Sequence, residues 1–320
     1  MRWKKIFTSQ LVILCVCFLS IALFNFFIDP YGVHSFLNFN SAKDEVVSVM
    51  DRRLYKLSKF TKSPQEIVIL GDSRGDSLHE SLFRDHGYAV SNLAYGGGTL
   101  YEAVDTFWYA ATKIKLNHVI FVLPFNLFSD ENAMNLVPNA LRLLKSYLAY
   151  SFDFAVTKAS FFVFYNLMKG EKLVTQTPSL DKDAFWQHQL SKEVTGRFYG
   201  AWKTPAKLTK KLKEVAEFCI NNGIHLLFVS PPTHYDLQKK ISEFGLVEDY
   251  AEYKRTLDEM GFLIDYDVVN DMTRNKENFT DPYHFNNKIA SDLVKEIAIF
   301  LDALQASAYT QRQKKTARFQ

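Results

Sequence analysis

The stretch "VILGDSRGDSL", residues 68 to 78, decides the fold of this chain, because an apolar run leads directly into a glycine-rich turn. With the two residues before it, the apolar run reads "EIVIL", which has the length and composition of a strand buried on both faces. The turn holds Gly-Asp-Ser twice, at residues 71 to 73 and 75 to 77. A buried strand followed by a turn and a helix is typical of a parallel α/β protein.

Four later β-rich apolar runs extend this pattern along the chain. They are "YAVSNLA" (88 to 94), "HVIFVLP" (118 to 124), "IHLLFVSPP" (224 to 232) and "FLIDYDV" (262 to 268). Helical patterns fall between them, and strands that alternate with helices imply right-handed crossovers. The sequence therefore predicts a parallel sheet of about five strands, in the order 2-1-3-4-5, with helices on both faces.

Two helices are predicted with definite ends. In the first, over 204 to 223, Thr204 can cap the helix, Pro205 occupies the first helical position and Gly223 ends it. The second follows Asn286 or Asn287, where apolar residues repeat at helical spacing. Both helices present an apolar stripe that would pack on the sheet.

The stretch from 127 to 203 interrupts this alternation, since it contains no convincing buried strand. A structureless loop of that length is improbable, so we predict a mostly helical insertion. Its many aromatic residues favour a local core over a sugar-binding platform.

The amino terminus predicts a membrane anchor. Residues 6 to 28 carry no charge, and at a helical rise of ~1.5 Å they extend about 34 Å, enough to cross a bilayer core. Arg2, Lys4 and Lys5 precede this segment, so the positive-inside bias predicts a single pass with the rest of the chain periplasmic or extracellular. A cleaved signal peptide is the alternative, but the segment ends "FNFFIDPYG" rather than in small residues, and we favour an uncleaved anchor.

These features divide the chain into four predicted segments. They are a cytoplasmic start and transmembrane anchor (1 to 28), a connecting segment (29 to 63), the α/β domain with its insertion (64 to 306) and a basic, disordered tail (307 to 320).

The charge balance, the cysteines and the motifs of the sequence restrict the classes of function that we expect. Without the three basic residues of the start and the four of the tail, 31 Lys and Arg stand against 35 Asp and Glu, which argues against a nucleic-acid surface. Only Cys219 lies outside the anchor, so no disulfide can form within the outer domain. No metal-ligand pair at helical or Cys-x-x-Cys spacing occurs outside the anchor, and neither a phosphate loop nor a dinucleotide motif is present, so we expect neither metal nor cofactor.

The two serines of the opening stretch are not equivalent. Ligands of a doubly wound sheet bind beyond the carboxyl ends of its strands, and Ser73 lies three residues after "EIVIL". Ser77 comes a turn later, inside the following helix or its first turns, so we favour Ser73 as a nucleophile. The alternative is that Asp72 and Ser73 only cap that helix.

A serine needs a base, and His284 is the candidate. In "FTDPYHFNNKIASDLV" it lies in a loop between the last strand and the final helix, with Asp281 three residues before it. A carboxylate at that spacing can fix the imidazole tautomer and leave the other ring nitrogen free to take the serine proton. Alternatively, Asp281 is a turn residue before Pro282.

Three of these stretches, "VILGDS", "SNLAYGGGT" and "DPYHFN", resemble in type and order the motifs of the SGNH (GDSL-type) hydrolase superfamily. The resemblance extends from about residue 65 to 303, apart from the insertion, and implies a three-layer, flavodoxin-like fold. It further implies Ser73 as nucleophile, His284 as base and Asp281 as the acid that orients the base.

The same resemblance implies an oxyanion hole made by the amide of Ser73, a glycine amide and an asparagine. Alignment of "NLAYGGGT" places the glycine at Gly97, with Gly96 as a near alternative. The asparagine would be Asn126 in "LPFNLF", although the family's usual acidic residue after it is replaced here, and Asn92 is the alternative donor.

Two further residues are candidates for substrate contact. Arg74 follows the serine and could meet an acidic substrate, although we favour a solvent-facing arginine at a helix start. His234, in "SPPTHYD", follows the fourth strand on the expected active edge, which makes it a candidate contact.

The expected function is that of a membrane-anchored serine esterase or O-acyltransferase acting on acyl esters, in particular acetyl esters, of an envelope or exported glycan. The anchor resembles that of proteins that O-acetylate exported polysaccharides, which implies a polysaccharide-modification complex as a partner. The alternative is an inactive SGNH-fold protein that binds glycan or serves as a scaffold in such a complex.

Overall fold

The computed structural model describes residues 2–34, 47–48, 50–169 and 181–316. The chain forms two compact units, one made of Met1–Pro64 and Asn135–Ser179 and the other of Gln65–Met134 and Leu180–Gln320. The stretch predicted as one insertion, 127 to 203, is therefore divided between the two units. Parts of the predicted connecting segment (35–46 and 49), of the insertion (170–180) and of the tail (317–320) lie outside the described residues.

The fifteen helices named here follow the chain in order. They are α1 Arg2–Ile28, α2 Arg52–Lys62, α3 Ser73–Asp76, α4 Glu80–Arg84, α5 Leu100–Lys113, α6 Val137–Lys145, α7 Tyr147–Ser151, α8 Phe154–Lys169, α9 Lys182–Leu190, α10 Lys192–Thr195, α11 Ala206–Asn222, α12 Tyr235–Glu243, α13 Val247–Met260, α14 Asp271–Arg274 and α15 Asn287–Thr316. Short 3-10 turns lie at Phe125–Leu127 and Lys276–Asn278, and a π-helical turn lies at Gly196–Gly200.

The larger unit is built on a five-stranded sheet. Its strands are β1 Ile67–Gly71, β2 Val90–Asn92, β3 His118–Val122, β4 His225–Ser230 and β5 Phe262–Asp265. The spatial order is β2-β1-β3-β4-β5, and every pair is parallel, which confirms the predicted sheet. A two-stranded antiparallel hairpin, β6 Phe279–Asp281 and β7 His284–Phe285, follows β5.

Helices cover both faces of this sheet, as the alternation of elements predicts. On one face, alternate residues of the central strands such as Ile69 and Ile120 pack with the apolar stripe of α15, including Leu293 and Ile297. On the other face, Phe121 packs against Phe107 of α5 and Phe228 of β4. Side chains of one strand therefore enter two different cores, which is why the strands read as continuous apolar runs.

The start of α11 differs from the prediction. Pro205, rather than Thr204, is at the N-cap position, and it offers no side-chain acceptor. The carboxylate of Asp130 replaces the cap, because its two oxygens accept hydrogen bonds from the amides of Lys207 (2.9 Å) and Leu208 (3.1 Å). The prediction of Thr204 as cap is therefore wrong, since a distant residue supplies the acceptor. Gly223 ends the helix in a left-handed conformation, as predicted.

Helix α15 is capped by Asn286, whose side-chain oxygen accepts from the amide of Ile289 at 3.0 Å. It continues through Thr316 and so includes most of the segment predicted as a disordered tail.

Helix α1 is the described helix that is long and apolar enough to cross a membrane. Within its segment Trp3–Ile28, the most apolar 18-residue window has a mean hydropathy of 2.8, and only 6% of that window is buried. By length and composition it is compatible with either a membrane anchor or a signal sequence.

His118 and His225 begin β3 and β4 at the amino-terminal edge of the sheet and stack with ring centroids 5.1 Å apart. The Nδ1 atom of His118 is buried without a hydrogen-bond partner among the described residues. Burial, with a smaller contribution from His225, lowers the pKa of His118 from its ordinary 6.5 to about 4. A protonated imidazole is thus disfavoured in the folded chain.

We expect this pair to make stability depend on pH. Between pH 6.5 and about 4 the unfolded chain binds the His118 proton and the folded chain does not, so the free energy of unfolding should decrease as the pH falls through this window. Urea unfolding of the His118→Gln variant should show a smaller decrease than the parent between pH 7 and pH 4.5. The exposed His188→Gln is the matched control. Equal pH dependence in His118→Gln and the parent would contradict the assignment.

Candidate active site

Ser73, His284 and Asp281 meet in a continuous hydrogen-bonded chain. The Oγ of Ser73 lies 2.7 Å from Nε2 of His284. The Nδ1 of the same ring lies 2.8 Å and 3.0 Å from the two carboxylate oxygens of Asp281. Because Asp281 can only accept when ionised, Nδ1 carries the ring proton and Nε2 is free to accept the serine proton. The structure thus places these three residues in the geometry of a nucleophile, a base and an orienting acid.

Ser73 is positioned by the end of β1. Gly71 closes the strand with a φ of 145°, and a Cβ atom there would collide with the carbonyl oxygen of Val122 on β3. Asp72 then caps the short helix α3, accepting from the amide of Arg74 at 3.1 Å. The turn therefore presents the half-buried Ser73 side chain beyond the carboxyl edge of the sheet, where ligands of such sheets bind.

Ser77 has a different role. Its hydroxyl donates to the carbonyl oxygen of Ser73 at 2.9 Å, inside the turn of the helix. In the second triplet Gly75 also serves packing, because a Cβ atom there would lie 2.9 Å from the side chain of Ala94. The two Gly-Asp-Ser triplets therefore have different roles. The first presents the Ser73 hydroxyl, and the glycine of the second allows the helix to pack closely on the sheet.

Asp281 and His284 are held by the β6–β7 hairpin rather than by the loop expected from sequence. The register of the hairpin pairs Asp281 directly with His284. One carboxylate oxygen of Asp281 also accepts from the backbone amides of Tyr283 (2.8 Å) and His284 (3.1 Å). The carboxylate is mostly buried, with a side chain 12% exposed, whereas the imidazole is 37% exposed. The acid is therefore fixed by its own turn, and the base can reach a ligand.

The predicted oxyanion donors lie on three different elements. The amide of Ser73, at the start of α3, has no acceptor within the described part of the chain. Asn126 lies buried in the 3-10 turn after β3, and its side chain makes no hydrogen bond to any described residue. Gly97, in the turn after β2, is exposed and has a φ of 67°, and Gly96 beside it is half-buried. The amide of Ser73 and the side chain of Asn126 thus each have a hydrogen that a ligand could accept.

Asn92 is structural and does not serve as the alternative donor. Its side-chain amide nitrogen donates to the carbonyl oxygens of Gly75 and Leu78, both at 2.8 Å, and its oxygen accepts from the amide of Ala94 at 3.0 Å. Both amide hydrogens are thereby used in holding the turn between α3 and α4. The sequence-based alternative is wrong because the carbonyl groups of Gly75 in α3 and of Leu78 after it already accept both hydrogens.

Arg74 is buried, so the prediction of a solvent-facing arginine is wrong, as is that of a substrate contact. Only 2% of the residue is exposed, and its guanidinium donates twice to one oxygen of Asp72, at 2.9 and 2.7 Å. Burial alone would lower the pKa of Arg74, but the charge of Asp72 raises it. The ion pair between Arg74 and Asp72, the two neighbours of Ser73, therefore fixes the turn that carries the serine from its buried side.

His234 caps α12 and stands inside the fold rather than in contact with a ligand. Its Nδ1 accepts from the amide of Asp236 at 3.1 Å, and its ring packs edge-on against Trp186 at 4.8 Å. Burial lowers its pKa, and Asp236 opposes that shift. Its backbone amide donates to the carbonyl of Pro282 at 3.0 Å, which ties the end of β4 to the hairpin of Asp281. The prediction of substrate contact is wrong because the ring is buried.

Three aromatic residues near the site were not singled out from the sequence. Tyr199, in the π-helical turn Gly196–Gly200, is buried, and burial raises its pKa well above the usual range. Phe198 packs on Tyr283, the residue before His284, with ring centroids 5.6 Å apart. The signal that could have identified this turn is "GRFYG", an aromatic pair between two glycines, since π-helical turns often occur at functional sites.

Among residues 2–34, 47–48, 50–169 and 181–316, no group of three or more His, Cys, Asp or Glu side chains is placed to hold a metal ion. The Ser73 hydroxyl, in contact with the imidazole of His284 at 2.7 Å, has the arrangement of a hydroxyl that an imidazole can activate. Such a group attacks carbonyl carbon and forms an acyl-enzyme.

Comparison with known proteins yields likeness of structure only. No protein-family model matches the chain. No curated protein sequence matches it either. A GDSL-like lipase from Bacteroides thetaiotaomicron is similar at 13% identity and a TM-score of 0.39, over 79% of this chain and 98% of that one. A "putative acylhydrolase" from Bacteroides fragilis is similar at 12% identity and a TM-score of 0.37, over 73% of this chain and 86% of that one.

The strand order and the placement of the serine motif are those of the fold expected from the sequence motifs. The parallel order β2-β1-β3-β4-β5 is flavodoxin-like, and Ser73 lies just beyond the end of β1. The chain therefore has a three-layer α/β architecture with a flavodoxin-like strand order.

Proposed function

We propose that this chain is a serine esterase or O-acyltransferase that acts on acyl esters, in particular acetyl esters, of an envelope or exported glycan. The observation that carries the proposal is the unbroken chain from Ser73 Oγ through the His284 ring to Asp281, with contacts of 2.7 and 2.8 Å. Residues 211 positions apart in sequence meet at the edge of a sheet where ligands bind.

In the proposed reaction, Ser73 Oγ attacks the ester carbonyl carbon while its proton passes to Nε2 of His284. The resulting imidazolium is stabilised by Asp281, which holds the Nδ1 proton throughout. Collapse of the tetrahedral intermediate breaks the bond to the alcohol, which leaves with the proton from Nε2. Water in hydrolysis, or a glycan hydroxyl in transfer, then attacks the acyl carbon and gives its proton to Nε2 of His284. The bond between that carbon and Ser73 Oγ breaks as Oγ takes the proton back from Nε2, which frees the product and restores the serine.

Negative charge develops on the carbonyl oxygen during attack, and preplaced donors would stabilise it. The amide of Ser73, the amide of Gly97 and the side chain of Asn126 are the donors of the proposal. The hydrogens of Ser73 and Asn126 support it, because no acceptor among the described residues uses them and they are available to a ligand.

Replacing Asn126 with alanine tests this oxyanion hole. We expect kcat for an aryl acetate to fall by about 100- to 1,000-fold with little change in KM, because the donor acts mainly on the transition state. The matched control is Asn222→Ala, at an exposed position at the end of α11. A loss of less than about threefold in Asn126→Ala would remove this residue from the proposed site.

The glycan part of the proposal rests on the anchor. The 27-residue helix α1 begins with basic residues and continues as an apolar segment, which supports a single-pass membrane protein with its catalytic unit periplasmic or extracellular. Ester-bearing polymers in that space are cell-envelope or exported glycans, and a polysaccharide-modification complex is the proposed partner. A carboxyl-terminal reporter that is active only outside the cytoplasm should be active, and one active only in the cytoplasm should be silent.

The second candidate is an inactive protein of the same fold that binds glycan or serves as a scaffold. The replacement of the usual acidic residue by Leu127 beside Asn126 favours it. Treatment of the purified full chain with a serine-directed fluorophosphonate, followed by peptide mapping, separates the two. Labelling at Ser73 that is absent from Ser73→Ala would support an enzyme, and no labelling of folded protein would favour the binder.

A further inference from the structure

Helices α7 and α8 of the smaller unit carry an unusually apolar exposed surface. On α8 the side chains of Phe154 (82% exposed), Met168 (71%) and Phe161 (59%) face outward, and α7 adds the exposed Leu148. Water in contact with large apolar side chains at this density is unfavourable. Contiguous exposed apolar surface marks a site of contact with protein or membrane.

This surface is continuous with helix α1. The ring of Phe24 packs on Phe161, with centroids 4.9 Å apart, and on Phe164 at 5.8 Å. Nearer the middle of α1, Phe18 packs on Phe152 at 6.2 Å. Helix α8 and the residues just before it therefore cover part of α1, and they also expose apolar side chains to the surroundings.

A buried polar contact fixes this association. Asn25 is fully buried within the apolar segment of α1, and its side-chain nitrogen donates to the carbonyl of Ser151 (2.8 Å) and the hydroxyl of Thr157 (2.7 Å). An amide in an apolar helix is costly unless its hydrogens are satisfied. Residues at the junction of α7 and α8 accept them, so the α7–α8 segment is joined to α1 at the level of Asn25.

If α1 crosses a membrane, the positions of these contacts along α1 determine how deep in the bilayer they lie. Phe18 lies ten residues before Ile28, the last residue of α1. At ~1.5 Å per residue this is about 15 Å, or half of a hydrocarbon core of ~30 Å. Side chains that pack on Phe18, Phe24 and Asn25 would therefore lie in the leaflet nearer Ile28.

The charges of α8 fit that placement. Its two charged residues, Lys158 and Lys169, are both basic and exposed, and such side chains can reach the headgroups while their stems stay in apolar surroundings. An open groove of about 480 Å³ is lined only by Phe161, Phe162, Phe164, Tyr165 and Met168, and could receive acyl chains. No acidic residue occurs in α8.

We propose that α7 and α8, residues 147 to 169, form a second membrane-embedded element, which lies beside α1 in the lipid leaflet nearer Ile28. The occupant of the exposed aromatic face is phospholipid. This inference rests on α1 spanning the membrane and is independent of the catalytic proposal.

Single-cysteine labelling of the full chain in vesicles tests the inference. The native cysteines Cys15, Cys17 and Cys219 are first replaced by alanine, and one cysteine is introduced at a time as Phe161→Cys, Met168→Cys, Leu14→Cys or Ile220→Cys. Leu14 is a control within the anchor, and Ile220, which is 74% exposed on α11, is a control in the larger unit. Each variant is labelled with NBD and reconstituted in phosphatidylcholine vesicles that contain 5-doxyl or 12-doxyl lipid.

We expect both doxyl lipids to quench Leu14→Cys, the 5-doxyl lipid to quench Phe161→Cys and Met168→Cys at least twofold, and neither to quench Ile220→Cys. Aqueous emission at both α8 positions while Leu14→Cys is quenched would overturn the inference. Aqueous emission together with concentration-dependent self-association would assign the surface to a second copy and overturn it as well. Lack of quenching at Leu14→Cys would remove the anchor, and the inference with it. Circular dichroism of each variant checks folding.

Discussion

Replacing Ser73 with alanine should abolish acyl-enzyme formation and lower kcat/KM for an aryl acetate by roughly three to six powers of ten. The hydroxyl is the atom that attacks in the proposed reaction, and its contact with His284 Nε2 at 2.7 Å gives it the required base. Without it, only binding and the oxyanion donors remain. The measurement is acetate release by the purified full chain.

Three companion variants show whether the residues act as one unit. His284→Ala should match Ser73→Ala, because neither group acts alone. Asp281→Asn should lose less, since the imidazole remains although its tautomer is no longer fixed. Ser77→Ala is the matched control: it removes a hydroxyl that only donates to the Ser73 carbonyl, so most activity should survive. Activity of Ser73→Ala equal to that of the parent would end the proposal, and selective loss in Ser77→Ala would transfer the role to the second triplet.

Replacing Arg74 with methionine should destabilise the larger unit by about 3 to 5 kcal/mol. The guanidinium and the Asp72 carboxylate are each about 3% exposed in their side chains, and they form an ion pair at 2.7 Å. Removing one partner leaves the other charge buried and unpaired, which costs far more than the pair contributes. Urea unfolding of the detergent-solubilised chain, followed by tryptophan fluorescence, measures the change.

The control for Arg74 is Arg197→Met, because Arg197 pairs with Glu193 at 3.1 Å while both side chains are about 70% exposed. That substitution should change the free energy of unfolding by less than about 0.5 kcal/mol. The double variant Arg74→Met/Asp72→Asn should recover a large part of the lost stability, since no charge stays buried. A loss of less than about 1 kcal/mol in Arg74→Met would show that the carboxylate is hydrated or neutralised.

The strands and their order could be predicted because their signals are local. A parallel strand buried on both faces needs a continuous run of β-rich apolar residues, so "EIVIL" and "HVIFVLP" identify β1 and β3 wherever the rest of the chain lies. The right-handed crossover then limits the topology to a few orders. The pairing of Asp281 with His284 is equally local, because they are three positions apart and a single turn brings them together.

The individual partners of polar residues could not be predicted in the same way. Arg74 reads as a solvent-facing residue at a helix start, yet the packing of α3 on β3 buries it. Asn92 reads as a free donor, but carbonyl groups of α3 and of the turn after it occupy its hydrogens. The expected cap of α11, Thr204, is replaced by Asp130 from a different element. Each of these assignments depends on burial and on which groups the packed fold brings within hydrogen-bond distance.

By itself the sequence determined the fold class, the apolar amino-terminal segment and the residue types and turns that can present a serine and a histidine, because periodicity, composition and short spacings act over neighbouring residues. The sequence favoured Ser73 over Ser77, but only the tertiary structure shows that Ser73 contacts His284, across 211 positions of sequence, and that α8 packs on α1. Such contacts depend on burial and on the approach of distant elements. Burial and the approach of distant elements both depend on the packing of the whole chain, and a local sequence pattern does not contain that information.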